Sequence, residues 1–222
     1  MENCKRAAEN GDQEAQCQLA YAYYMGNGVK KDLKESLNWY EKAAMQNSPL
    51  ALCKLGYMYT KGEGCRKDYA KAAEYYLKAA ELGERVAQNN LAVAYESAKG
   101  VKKDNDEAIR WYKESASNGY VLAEYNLAAL YEDMKNYTAA ADWYIKAANN
   151  GNAAAQDSLG RLYEFGDGVE QNDEVAMHWY RMAAKQNYFG ANENYKRVSF
   201  KFTSNASSDF FDKFLNFFRK KK

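Results

Sequence analysis

One alanine recurs through this chain at nearly constant spacing, at Ala15, Ala51, Ala87, Ala123, Ala155 and Ala191, with successive intervals of 36, 36, 36, 32 and 36 residues. A period of this length marks an array of supersecondary units, each too small to cover its own apolar surface and stable only when stacked on a neighbour. Other residues keep the same step. Leu19-Ala20, Leu55-Gly56, Leu91-Ala92, Leu127-Ala128 and Leu159-Gly160 follow the alanine, and then come Tyr23, Tyr59, Tyr95, Tyr131 and Tyr163. A second block repeats Trp39-Tyr40, Tyr75-Tyr76, Trp111-Tyr112, Trp143-Tyr144 and Trp179-Tyr180. Behind it stand Ala43-Ala44, Ala79-Ala80, Ser115-Ala116, Ala147-Ala148 and Ala183-Ala184.

Within one unit, Ala51 to Gly83, the apolar spacing is helical. Ala51, Leu55, Met58 and Tyr59 share a helix face, and Gly62-Glu63-Gly64 ends that helix because glycine tolerates the left-handed backbone of a tight turn. Ala72, Tyr75, Tyr76, Ala79 and Ala80 form the apolar side of a second helix that stops before Gly83. Ser48 before Pro49, the single proline, is a good helix start and bounds the unit cleanly. The period predicts an all-α fold, an elongated right-handed superhelical solenoid of stacked helix-turn-helix repeats over residues 1–198. Residues 2 to 9 match the end of a second helix, so the array begins on a half repeat, either as a cap or because it continues a longer array.

The loops make the pattern more specific. Gly26-Asn27-Gly28-Val29-Lys30-Lys31-Asp32 and Gly166-Asp167-Gly168-Val169 carry a Gly-x-Gly-Val signature absent from a plain tetratricopeptide hairpin. Over about residues 2 to 198 the chain resembles the Sel-one-like repeat family, a branch of the tetratricopeptide-like solenoids. Repeat four departs from it, since Glu132-Asp133-Met134-Lys135-Asn136 lacks the glycine loop. The resemblance implies a non-enzymatic scaffold or adaptor whose concave face, lined by the first helices, binds a protein or peptide. Adaptor roles in signalling, protein quality control and bacterial host interaction are associated with the family, as are immunity proteins that neutralise toxins. A secreted branch clamps each repeat with a disulfide, but Cys4, Cys17, Cys53 and Cys65 do not pair in that way and read as thiols.

If the first helices line a groove, the positions two, six and nine residues after each leading alanine face it. In order these are Cys17, Tyr21 and Tyr24; Cys53, Tyr57 and Thr60; Asn89, Val93 and Glu96; Tyr125, Ala129 and Glu132; and Asp157, Arg161 and Glu164. Lys54, Asn90 and Asn126 lie between them, the two asparagines suited to holding a ligand backbone. The expected groove is aromatic at its N-terminal half and acidic around Arg161 at its C-terminal half, which suits a peptide with an apolar anchor and a basic end.

No catalytic, cofactor or metal constellation is present. His178 is the single histidine, beside Trp179, and offers no triad or metal set. The glycine loops follow helices rather than strands and lack the lysine-serine pair of a phosphate cradle. A net charge of +1 argues against a nucleic-acid footprint. No apolar run reaches membrane-span length and no signal-peptide core opens the chain, so a cytoplasmic protein is expected. Residues 199–222 differ from the array: they carry +4 of charge, leaving −3 for the rest, and hold seven of the nine phenylalanines. Phe210, Phe211, Phe214, Phe217 and Phe218 form an apolar helical stripe, for which a cap on the last repeat, a peripheral membrane contact and a partner-binding helix compete.

Overall fold

The computed structural model describes residues 1–203. Its helices are α1 (Glu2–Glu9), α2 (Gln13–Met25), α3 (Leu33–Met45), α4 (Pro49–Lys61), α5 (Tyr69–Glu81), α6 (Arg85–Glu96), α7 (Asn105–Ser117), α8 (Val121–Asp133), α9 (Tyr137–Asn149), α10 (Ala153–Phe165), α11 (Asp173–Lys185) and α12 (191–203). No strand occurs among the described residues. The all-α expectation holds, with one helical pair per alanine period. The chain forms two compact units, Met1–Ala123 and the residues from Glu124 onward, with the boundary inside α8.

Local chemistry sets the helix ends. Asp32, Asp68, Asp104, Asn136 and Asn172 cap the second helices, each side chain accepting from backbone N–H groups of the first turn. Asp12, Ser48, Glu84 and Asn152 do the same for first helices. The loops close on the tyrosines of the first helices. The N–H of Asp32, Asp68 and Asn172 donates to the carbonyl of Tyr23, Tyr59 and Tyr163, at 2.9, 3.0 and 2.9 Å.

In the first unit α2 packs on α3, α4 on α5 and α6 on α7, and successive pairs meet through α3 on α4 and α5 on α6. First helices of adjacent pairs also touch, α4 on α6, which places them side by side on one face. The core is the repeated set: Leu19, Leu55 and Leu91 are buried, as are Tyr40, Tyr76 and Tyr112 from the second helices. The second unit repeats this with Leu127, Leu159, Tyr144 and Tyr180. The small residue after each repeat's leucine permits the close approach: a Cβ on Gly56 would lie 2.6 Å from the Tyr76 ring.

The second glycine of the loop has a double requirement. Gly64 has φ +73°, and a Cβ there would meet the Leu33 carbonyl oxygen at 2.2 Å, so the loop of one repeat lies directly on the start of the preceding repeat's second helix. Ala98 occupies the place of the first loop glycine in the third repeat and takes φ +54°.

A glutamine ladder, not recognised in the sequence, pins successive repeats. Buried Gln16, Gln88 and Gln156, each one residue after a leading alanine, donate from Nε2 to the carbonyls of Ala8, Ala80 and Ala148 at 3.2, 3.1 and 3.1 Å. Their Oε1 atoms accept from Gln46, Asn118 and Gln186 at 2.9, 3.0 and 2.9 Å. Both halves of each buried amide are therefore satisfied, as burial demands.

At the C-terminal side α12 runs on to residue 203 rather than ending near Val198. Its Val198 is buried with Ala176 and Tyr180, and Tyr195 packs against them in the leucine position. The stripe of Phe210, Phe211, Phe214, Phe217 and Phe218 lies outside the described residues.

Candidate protein-interaction surface

In the first unit the first-helix face opens into a cleft of about 230 Å3 lined by Tyr21, Tyr24, Tyr40, Lys54, Tyr57 and Met58. Helix α2 supplies Tyr21 and Tyr24, α4 supplies Lys54, Tyr57 and Met58, and α3 supplies Tyr40 from beneath. Tyr21 and Tyr57 are 47% and 39% exposed, whereas Tyr40 and Met58 are buried and form the floor. The Tyr24 hydroxyl donates to Glu63 Oε2 at 2.7 Å. That hydrogen bond, together with burial, holds the Tyr24 phenol above its usual range. Lys31 and Lys61 place their ammonium groups 5.8 and 5.7 Å from the Tyr24 and Tyr57 ring centres. Lys54 is exposed and makes no ion pair with another described residue.

The remaining predicted positions divide. Those two residues after the alanine do not reach the surface in the first unit: Cys17, Cys53 and Asn89 are buried. Burial raises the Cys53 and Cys17 thiols, so both are protonated packing groups. Asn90 is half-buried and lines a smaller cleft, about 100 Å3, with Thr60, Tyr69, Tyr76 and Lys99 among its walls.

The acidic positions are corrected by their partners. Glu96, nine residues after its alanine, accepts from the Tyr112 hydroxyl at 2.6 Å. Glu132 accepts from Tyr144 at 2.9 Å and pairs with Arg161 of the following first helix. Glu164 is only 3% exposed, accepts from Tyr180 at 2.8 Å and pairs with Arg197 on α12. These carboxylates satisfy core tyrosines rather than a basic ligand, because a buried phenol needs an acceptor and the helix geometry puts this side chain over it.

Arg161 is consequently an internal partner as well. Tyr125 is half-buried with its ring 5.9 Å from Tyr144, packed against the second unit's core cluster, and so is a packing residue rather than an exposed anchor. Asp157 accepts from Asn194 Nδ2 at 3.1 Å, and burial raises its carboxyl pKa. Asn126 is half-buried on α8. His178 is exposed with its ring edge-on to Trp179 at 5.1 Å, as a helix surface residue. Tyr21, Tyr24, Lys54 and Tyr57 are thus the predicted residues that the fold brings together. The sequence reading assigned Tyr40 and Met58 to core alone and passed over Glu63. The available signal was Tyr24 itself, which stands where later repeats have glutamate.

Among the described residues no group of three or more His, Cys, Asp or Glu side chains could hold a metal ion, and no helix is long and apolar enough to cross a membrane.

Comparison with known proteins agrees with this geometry. The model of the Sel1 repeat matches residues 13–48, 49–84, 85–120, 121–152 and 153–188. A Sel1 repeat protein from Oxalobacter formigenes is similar in structure with a TM-score of 0.75 and 36% identity, over 81% of this chain and 75% of that one. A protective antigen of uropathogenic Escherichia coli with an SLR fold matches with a TM-score of 0.80 and 33% identity, over 82% of this chain and 40% of that one. In sequence, the secretory immunoglobulin A-binding protein EsiB of Escherichia coli is 40% identical over 43 residues, which is 19% of this chain and 9% of that protein. The chain therefore spans only a small part of that curated relative.

Proposed function

The chain belongs to the Sel1 repeat family, a non-catalytic protein-interaction fold, and from that premise we propose that it is a scaffold capturing a protein partner by a peptide segment laid on its first helices. The observation that carries this is the α2–α4 cleft, where exposed Tyr21 and Tyr57 stand over a buried floor. Aromatic side chains at the rim of a formed pocket are the usual anchors of an interface, each contributing on the order of 2 kcal/mol. They bring large contact area at little loss of conformational freedom.

Glu96, Glu132 and Glu164 are engaged internally, so the recognition element is the tyrosine cleft and its lysines. A pull-down comparing the intact chain with a Tyr21→Ala/Tyr57→Ala variant tests the reading. Specific partners should be lost from the variant while its helical circular dichroism and melting temperature stay close to those of the parent. An unchanged set of partners would refute the assignment of this face.

A further inference from the structure

The five second-helix tyrosines make a comparison possible within one molecule. In three repeats the hydroxyl of the core tyrosine is received by a glutamate nine residues after the leading alanine: Tyr112 by Glu96, Tyr144 by Glu132 and Tyr180 by Glu164. In two of these a cation completes the site, Arg161 on Glu132 and Arg197 on Glu164, each from the next first helix at the position six residues after the alanine. The arrangement is a carboxylate held between a phenol below and a guanidinium beside it.

The first repeat has the phenol without the carboxylate. Tyr24 stands at the glutamate position and turns its own hydroxyl to Glu63. Tyr40 donates to no described residue; it is 2% exposed and lies in the cleft floor, and its hydroxyl is not among the enclosed unpartnered polar atoms. Burial pushes the Tyr40 hydroxyl above its usual range, so it stays a donor at all ordinary pH. The position of Arg161 and Arg197 is taken here by Tyr57, and the cation that lines the cleft is Lys54, one turn earlier on the same helix, while Lys31 and Lys61 add positive charge at the Tyr24 and Tyr57 rings. Against these three ammonium groups stands Glu63, already occupied by Tyr24.

We propose that the α2–α4 cleft receives the carboxylate of a glutamate or aspartate side chain from the partner protein, which accepts from the Tyr40 hydroxyl and pairs with Lys54. This rests on the reading of the first-helix face as a peptide surface and names what that surface selects. The incoming carboxylate serves the Tyr40 hydroxyl as the chain's own glutamates serve the core tyrosines of later repeats, from the cleft beside Tyr24, and the Tyr21 and Tyr57 rings cover its methylene stem. Its charge is met by a donor and a cation, the combination that makes charge-assisted hydrogen bonds shorter and stronger than neutral ones.

The test uses the full chain, immobilised, and a library of short N-acetylated, C-amidated peptides. A central position is varied among Glu, Asp, Gln, Asn, Lys and Leu, and the flanks are randomised. Peptides with central Glu or Asp should be retained about tenfold over their Gln or Asn counterparts, the size expected for a hydrogen-bonded charge pair. Tyr40→Phe, which keeps the ring in the core, should lower that ratio, and Lys54→Glu should reverse it toward central Lys. Retention through Tyr21 and Tyr57 without acidic preference would overturn the carboxylate assignment and leave the peptide surface standing. Acidic preference unaltered in Lys54→Glu would overturn it also, as would acidic selection confined to a library with free C-termini. Failure to retain any peptide would overturn the peptide surface itself.

Discussion

Replacing Glu164 by alanine tests whether the carboxylates of this fold serve its core. Glu164 is 3% exposed and its Oε2 accepts from Tyr180, itself 1% exposed, at 2.8 Å. Truncation leaves a buried hydroxyl without its charged acceptor, which costs about 1.5–3 kcal/mol. The second loss is the ion pair with Arg197. That side chain is 53% exposed and regains water when released, so this adds less than about 1 kcal/mol. The expected destabilisation is about 1.5–4 kcal/mol in urea unfolding followed by circular dichroism. A double-mutant cycle with Tyr180→Phe separates the terms. With the hydroxyl gone, most of the penalty should vanish, giving a coupling energy of about 1.5–3 kcal/mol. Additivity within about 0.5 kcal/mol would refute the argument, since it would mean that carboxylate and phenol are satisfied independently by water.

Further expectations come from the loops and the buried phenols. Gly64→Ala should destabilise by more than about 2 kcal/mol because positive φ and overlap with the Leu33 carbonyl act together, whereas Gly83→Ala, with φ +84° and nothing within 4 Å, should cost only about 1 kcal/mol; urea midpoints compare the two. Ala98→Gly should stabilise by about 0.5–1 kcal/mol by relieving φ +54°, and an unchanged midpoint would count against that strain. Burial raises the pKa of Tyr40, Tyr76, Tyr112, Tyr144 and Tyr180, Tyr76 to about 12. Their contribution is fully present below the ordinary tyrosine value of about 10 and is lost as pH rises above it, by up to about 1.4 kcal/mol per pH unit for each phenol. Tyrosinate absorbance of these groups should therefore appear together with loss of helical signal, and ionisation of all tyrosines in a still-folded chain would refute the burial argument.

The alanine period, the Leu-Gly and Trp-Tyr pairs and the Gly-x-Gly loops were enough to read an all-α array, its repeat boundaries and most of its core, because each of those residues answers a local demand. Asp32 or Ser48 must cap a helix, Gly64 must adopt positive φ, and Leu55 must face a neighbouring helix whatever the rest of the chain does. The same periodicity misled where a side chain's partner lies in another element. Glu96, Glu132 and Glu164 recur on first helices and read as an acidic surface, but second-helix tyrosines some 12 to 16 residues away in sequence consume them. Gln16, Gln88 and Gln156 carry no local signal, since the carbonyl each one needs belongs to the preceding helix. Tertiary packing also decided that Tyr40 is both core and cleft floor. Its ring obeys the repeat, while its hydroxyl differs from those of Tyr112, Tyr144 and Tyr180 because Tyr24 replaced the acceptor one helix away. Periodicity specifies which faces meet, whereas the hydrogen-bond partners depend on which side chains coincide once they do.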